Sequence, residues 1–318
     1  MRIAVTGGFG YVGAHLVARL RAAGHEVVVL SLLPPAEDLP ARVADVEWVA
    51  ADVSAPATYA GALDGCDALV HAAAMGAGPA TADPAGAFRV NGYGTRAVLD
   101  AAVAAGVRRA VYFSTYHVYG KETGTITEKT PTRPFSDYGI TKLAGEGAFY
   151  RAARREDIEP FILRFSNGFG APLSREADCW SLAFPSFARS AAETGRIKLL
   201  SAGMQQRDFL TVGDMCAAVE IVLEAPAPRA GDTDIAYNVG GGASLSMREA
   251  ASMVAEAYGE IRGEPAAIDL PEGTEDAPAE PAVDYRFERI AKLGYAPAGD
   301  LAVEALATLK FLRVRPKR

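Results

Sequence analysis

Cysteine is scarce in this sequence. The 318-residue chain holds three, Cys66, Cys179 and Cys216, an odd number with no C-x-x-C spacing. That excludes a disulfide framework and a cysteine-built zinc site, and no metal is expected; a reducing cytoplasm is the expected compartment. Long apolar runs are missing too: nothing approaches 18 consecutive apolar residues, so a membrane-spanning helix is not expected. The amino terminus, MRIAVTGG, has no basic stretch followed by a signal-type apolar segment, which argues against export. Positive charge is in deficit, with 32 Lys and Arg against 39 Asp and Glu and a net charge of −7. A generic nucleic-acid partner would need a basic footprint and is not expected. No repeat of 20–50 residues is visible, which removes solenoids and propellers.

What the chain does have is apolar material, 50% of its residues, ample for a large core. The first half alternates short apolar runs with amphipathic stretches. Residues 2–6, 26–30, 46–50, 68–71, 110–114 and 161–165 read as buried strands; 11–23, 55–63, 85–105 and 138–155 read as helices. Such alternation predicts βαβ units and a parallel sheet covered on both faces. After Phe165 the rhythm breaks. A loop is expected over 167–177, a helix over 181–193, a strand feeding a helix over 209–224, and a late strand at 235–239 that rejoins the first sheet. The Pro- and acid-rich stretches 225–234 and 263–283 read as connections, the second long enough to be a lid. The expected division is a dinucleotide-type domain over 1–166, rejoined by about 208–239, and a smaller, irregular α/β domain from 167–207 and 240–318.

The first strand runs directly into Gly7-Gly8-Phe9-Gly10-Tyr11-Val12-Gly13 and a helix. Gly7, Gly10 and Gly13 make the G-x-x-G-x-x-G spacing in which two glycines permit a tight turn and close backbone approach. The third lets the helix pack on the strand, and its amino terminus meets a pyrophosphate. This strand–glycine turn–helix order predicts a doubly wound parallel sheet of the Rossmann kind that binds a dinucleotide. Where an Asp or Glu that reads the ribose is usual, at the end of the second strand, stands Ser31, followed by Leu32 and Leu33. Neither a carboxylate favouring NAD nor an arginine favouring NADP is present; NAD is preferred because a 2′-phosphate normally needs a cation nearby, and NADP stays open.

Tyr138 and Lys142 stand four residues apart, on one face of the helix that begins there. An adjacent ammonium and a positive nicotinamide would favour the phenolate and make Tyr138 usable as a base near neutral pH. Y-x-x-x-K alone is a weak signal; its meaning comes from Ser114-Thr115 at the end of the fifth strand, where a hydroxyl could share the substrate's proton.

With these blocks in view, the sequence resembles the extended short-chain dehydrogenase/reductase family, particularly its nucleotide-sugar epimerases and dehydratases. TGGFGYVG, HAAA (71–74), VNGYGT (90–95), FSTYHVYG (113–120), YGITK (138–142), RFSNGFG (164–170), RDFLTVGD (207–214) and YNVGGG (237–242) follow the family's order over nearly the whole chain. The resemblance implies Thr115, Tyr138 and Lys142 as the catalytic set. It implies a cofactor site in which Tyr11 and Val12 join the glycines, with Ser31 at the ribose position; Asp52 and Val53 lie beside the adenine, Ala72, Ala73, Ala74 and Asn91 run along the dinucleotide, and Phe165 sits near the nicotinamide. Asn167 and Arg207 would touch the diphosphate of a nucleotide-sugar substrate. The residues also have plainer readings: Asp52 as a helix cap, Asn91 as a turn or cap residue, Arg207 in an ion pair with Asp208 or Asp214. His71 reads as structural, His15 and His25 as surface residues without chemistry, Trp48 and Trp180 as packing. The family's second arginine near the carboxy terminus is missing from Glu280–Asp284, where Arg286 is a candidate substitute.

The family's 4,6-dehydratases place Asp-Glu after the catalytic threonine, whereas Thr115 is followed here by Tyr116-His117, which disfavours dehydration. The leading expectation is a nucleotide-sugar epimerase that oxidises its substrate transiently with bound NAD. The alternatives are an NAD(P)H-dependent reductase of a nucleotide-linked keto-sugar and a non-catalytic dinucleotide sensor. If the strand continues past Thr115, His117 points to the substrate as an acid/base for a proton beside the transient ketone; its plainer role is to bond a hydroxyl or pack on Tyr138. The resemblance also implies a homodimer through the helices at 85–105 and 138–155, where Ala97, Ala101, Ala144 and Ala148 would allow close approach.

Overall fold

A computed structural model describes residues 1–155, 157–228 and 234–315. Its centre is a seven-stranded sheet built from β1 (Arg2–Thr6), β2 (Glu26–Ser31), β3 (Glu47–Ala50), β4 (Ala68–His71), β5 (Arg109–Thr115), β7 (Glu159–Phe165) and β11 (Ala236–Val239), with β6 (Gly124–Ile126) outside it. The order is β11-β7-β5-β4-β1-β2-β3, and every pairing is parallel. The central strands are near-continuous apolar runs because helices bury both faces. Val5, Val29 and Val70 pack on one side beneath α1 (Tyr11–Ala22); Ala4, Val28 and Leu69 pack on the other, beneath α2 (Thr95–Ala104) and α3 (Asp137–Arg155). The chain order reverses between β1 and β4, and a crevice opens beyond the carboxyl ends of these two strands. The late strand does rejoin this sheet, pairing with β7.

The second, smaller domain holds a sheet of β8 (Asn167–Phe169), β10 (Gln206–Thr211) and β12 (Ser244–Ser246), with β9 (Arg196–Lys198) paired to β13 (Ala267–Asp269), and β14 (Val283–Tyr285) paired to β6. Its core is a cluster around Phe169, Phe184 and Phe209. Helices α4 (Ala183–Thr194), α6 (Met247–Arg262) and α7 (Leu301–Phe311) pack around that cluster, and α5 (Val212–Glu224) returns the chain to the large sheet.

Several local expectations need correction. The helix expected at 55–63 is only a short 3-10 turn at Pro56–Tyr59; Gly61, at φ +78°, turns the chain away. The helix expected at 85–105 is interrupted by a wide π-type stretch at Phe88–Gly94, where Gly92 and Gly94 weaken regular winding. The stretch 167–177 opens with β8, and 263–283 contributes β13 and the first residue of β14, so neither is merely a loop. Of the connection at 225–234, residues 229–233 lie outside the described residues. No described helix is long and apolar enough to cross a membrane.

Candidate active site

The glycine turn forms a cradle at the β1–β4 crevice. Gly7 has φ +68°, and a Cβ there would come within 2.9 Å of the Ala73 backbone; a Cβ on Gly13 would collide with the Gly7 carbonyl oxygen. Gly10 N donates to that same carbonyl at 3.0 Å. The first-turn N–H groups of α1, on Tyr11, Val12 and Gly13, have no intrahelical acceptor and no side-chain cap, which leaves them for an anionic ligand. Thr6 Oγ1 accepts from Ala73 N at 3.2 Å and so places the loop that leaves β4, while Ala72 N donates to Thr6 O. A cavity of about 410 Å³ opens here, lined among others by Gly7, Gly10, Tyr11, Ser31, Asp52, Val53, Ala73 and Ala74. These residues fit a dinucleotide: bare backbone where a pyrophosphate would lie, small residues along one wall, and Ser31 and Asp52 at one end.

Two predicted cofactor residues are committed to protein contacts. Asn91 is fully buried; its amide bonds both the N–H and the carbonyl of Met75 and reaches Thr141 Oγ1 at 3.1 Å. Its direct effect is to hold the post-β4 loop against α3. Tyr11 donates to Gly170 O at 2.6 Å and accepts from Gly170 N, so it ties the cradle helix to the smaller domain; burial pushes its phenol up. Asp52 caps its own turn by accepting from Ser54 N and Oγ, yet it still faces the cavity. Phe165, ending β7, packs edge-on against Phe113 with ring centroids 4.9 Å apart.

At the other end of the crevice, β5 delivers Thr115, and the first turns of α3 deliver Tyr138 and Lys142. The Thr115 hydroxyl favours ionisation of the Tyr138 phenol, but burial dominates and pushes the phenol up to about 12. Lys142 is 1% exposed, its ammonium 4.2 Å from the Tyr112 ring centroid; burial pulls it down to about 7, against the pull of the Glu146 carboxylate. The resting phenol is therefore protonated, and of the two charges expected to favour the phenolate, the lysine and a positive nicotinamide, the buried lysine by itself does not bring it there. Beneath them lies a group that sequence reasoning missed. Glu146, fully buried, accepts two bonds from the Arg164 guanidinium, at 2.9 and 2.6 Å, and a third from Ser114 Oγ. The spacing Lys142–Glu146, one helical turn, was the available signal.

His117 is not on a continuing strand. β5 ends at Thr115 because the chain enters a 3-10 turn, Tyr116–Tyr119, capped when Thr115 Oγ1 accepts from His117 N at 3.3 Å. The ring nevertheless meets Tyr138 edge-on at 5.9 Å, and burial together with the Arg207 charge pulls the imidazole down, keeping it neutral at neutral pH. Arg207 pairs with Glu122 at 3.5 Å and with Gln206 O, rather than with Asp208 or Asp214. Asn167 donates to Asp208 O at 2.8 Å beside Tyr116. Arg286 is half exposed and paired with Asp284 and Glu288.

The remaining sequence readings divide. His71 is buried between Thr6 and Thr95 hydroxyls and pulled down to about 3 by burial, which makes it structural. His15 is half-buried, not on the surface, with Nε2 2.9 Å from Ala171 O. Trp48 is 37% exposed on the edge strand and does not serve the core. The three cysteines are buried and unpaired among the described residues.

Comparison with known proteins gives a consistent result. The sequence model of the NAD dependent epimerase/dehydratase family matches residues 3–240. The chain is 33% identical over 283 residues to the dTDP-6-deoxy-L-talose 4-dehydrogenase (NAD(P)(+)) of Kitasatospora kifunensis, covering 86% of this chain and 84% of that one. It is 33% identical over 267 residues to a UDP-glucose 4-epimerase of Mycolicibacterium smegmatis, covering 81% and 83%. A solved dTDP-glucose 4,6-dehydratase of Streptomyces venezuelae with NAD bound superposes with a TM-score of 0.81 at 27% identity, over 98% of this chain and 97% of that one.

Proposed function

Because the chain belongs to the NAD dependent epimerase/dehydratase family of extended short-chain dehydrogenases/reductases, we propose that it is a nucleotide-sugar epimerase that works through a transient ketone. The observation that supports this most directly is the convergence of Thr115, Tyr138 and Lys142 at the crevice end, with a tyrosine and a histidine where a dehydratase has its acid pair. Epimerases among the similar proteins act on UDP-sugars, and an anionic nucleotide diphosphate suits Arg207, whose guanidinium can exchange its long contact with Glu122 for a phosphate. When bound, oxidised NAD supplies the hydride acceptor, later the donor, and a positive charge that lowers the phenol's proton affinity.

The chain's own residues do the rest. Tyr138 takes the proton of the sugar hydroxyl as its carbon is oxidised and gives it back on reduction; Thr115 bonds the phenol and orients it. Lys142, fixed over Tyr112, contributes positive charge when protonated. His117, neutral and beside Tyr138, serves as acid/base for a carbon-bound proton next to the ketone. Asn167 orients the diphosphate from β8. The smaller domain supplies the substrate residues, and the dinucleotide domain supplies Thr115, Tyr138 and Lys142.

The test is turnover of a nucleotide sugar by purified protein without added NADH. An epimerase converts substrate under those conditions, Tyr138→Phe lowers turnover by roughly 10²–10⁴, and His117→Ala stops deuterium uptake from solvent while bound NAD is still reduced by substrate. Stoichiometric consumption of NAD(P)H would instead establish the reductase, a reading favoured by the similarity to the 4-dehydrogenase. Retained turnover in Tyr138→Phe would remove its catalytic role.

The protein is also proposed to be a homodimer. Exposed Phe88 and Tyr93 on the π-type stretch and Ile140 on α3 are available for pairing with a second copy. Ala144 remains exposed, but Ala97 and Ala148 are buried inside this chain and do not serve that purpose. A monomeric mass at micromolar concentration in solution would refute the dimer.

A further inference from the structure

We propose that the smaller domain sets cofactor choice: the segment Ser174–Asp178 forms an outer wall of the dinucleotide cleft, and its carboxylates Glu176 and Asp178 disfavour a 2′-phosphate on the adenine-side ribose. The inference deepens the NAD reading of this cleft and rests on it, but it does not depend on which sugar is converted.

Three observations carry it. First, Ser31, at the end of β2 where ribose selection is usual, is neutral, and Leu32 and Leu33 after it are 70% and 69% exposed, so β2 supplies no charged discriminator. Second, the charged residues that line the cleft among the described residues are Asp52, Glu176 and Asp178, all acidic; no Lys, Arg or His lines it. Arg175, the cation within the wall segment, lines a separate cavity with Trp180 and Arg189. Third, the wall is held in place. Asp38, on the loop following β2, accepts from Ser174 Oγ and from Arg175 N at 2.9 Å, and Ser174 Oγ in turn accepts from Glu176 N at 3.1 Å. The acidic residues therefore belong to a latched segment facing Ser31, and not to a free loop.

The physical consequence is an asymmetry between two otherwise identical ligands. A 2′-hydroxyl can bond to Ser31 at no electrostatic cost. A phosphate monoester brings about −1.5 to −2 charges at pH 7 into a cleft with no cation to pair it. Like charge without compensation is how a site rejects the wrong partner rather than attracting the right one.

The experiment is equilibrium binding of NAD and NADP to the purified protein, freed of any co-purified cofactor, at low and high KCl. Expected for the parent protein is tighter binding of NAD, with a ratio that shrinks as salt screens the carboxylates. In the Glu176→Gln/Asp178→Asn double variant, NADP affinity should rise about tenfold while NAD affinity changes less than about twofold. Equal parental affinities, a ratio indifferent to both salt and the double substitution, or equal shifts for both ligands would overturn the proposal. Because the parent protein reports through its salt dependence, the proposal does not hinge on the variant folding. Binding of neither ligand would overturn the NAD reading itself, and this inference with it, a result distinct from an unchanged ratio.

Discussion

The two domains hold their functional residues by different means. In the dinucleotide domain, parallel strand ends and glycine backbone place the site: Gly7 and Gly13 leave room, β5 delivers Thr115, and α3 delivers Tyr138 and Lys142. A buried ion pair, Glu146 with Arg164, lies beneath those residues with its bonds satisfied. The smaller domain is secured by carboxylates that collect backbone N–H groups. Asp208 accepts from Gly241 and Gly242 N and from Ser166 Oγ; Asp214 from Ala298 and Gly299 N and Thr211 Oγ1; Glu304 from Ala171 N; Asp38 from Arg175 N. A buried strand is cheap to specify because apolar pattern and backbone pairing agree. Irregular loops have no ladder to satisfy their N–H groups, so acidic side chains take that role.

That contrast can be broken. Arg164→Met leaves Glu146 fully buried without its partner and should cost about 3–5 kcal/mol in urea unfolding. Glu146→Gln added to it should recover much of that loss, since the buried carboxylate that lost its guanidinium partner is gone. If Arg164→Met costs under about 1 kcal/mol, the pair is not what holds β7 and α3 beneath the site. Asp214→Ala strips the acceptor from the N–H groups of Ala298 and Gly299, with an expected loss of about 1–3 kcal/mol. Its falsifier is an unfolding midpoint equal to the parent's.

A subtler effect follows from Asp208, whose carboxyl is pushed up to about 6 by burial, against the bonds from Ser166, Gly241 and Gly242. The folded state therefore holds a proton that the unfolded chain, near 3.8, releases. Stability from this group is present below pH 4 and is lost as pH rises to about 6, by at most about 3 kcal/mol at about 1.4 kcal/mol per pKa unit. Asp208→Asn should remove that slope, read as the difference between variant and parent midpoints across pH 4–6. Parallel profiles would show that burial does not control this carboxyl.

The amino-acid sequence by itself determined the sheet, because β1, β2, β4, β5 and β7 are apolar enough to be recognised wherever they sit, and the glycine turn, because only glycine fits at Gly7 and Gly13. The placement of Tyr138 four residues ahead of Lys142 was equally legible, being a property of one helix. Their electrostatic state was not, since the phenol near 12 and the ammonium near 7 arise from burial by residues distant in the chain. Nor could local pattern reveal that Asn91 is consumed by Met75, that Arg207 faces Glu122, or that Asp38 draws Ser174 across the cleft. Those contacts join residues 16, 85 and 136 positions apart, and only the folded chain decides which donor meets which acceptor. Periodicity reports burial of a face; it carries no information about the partner on the other side.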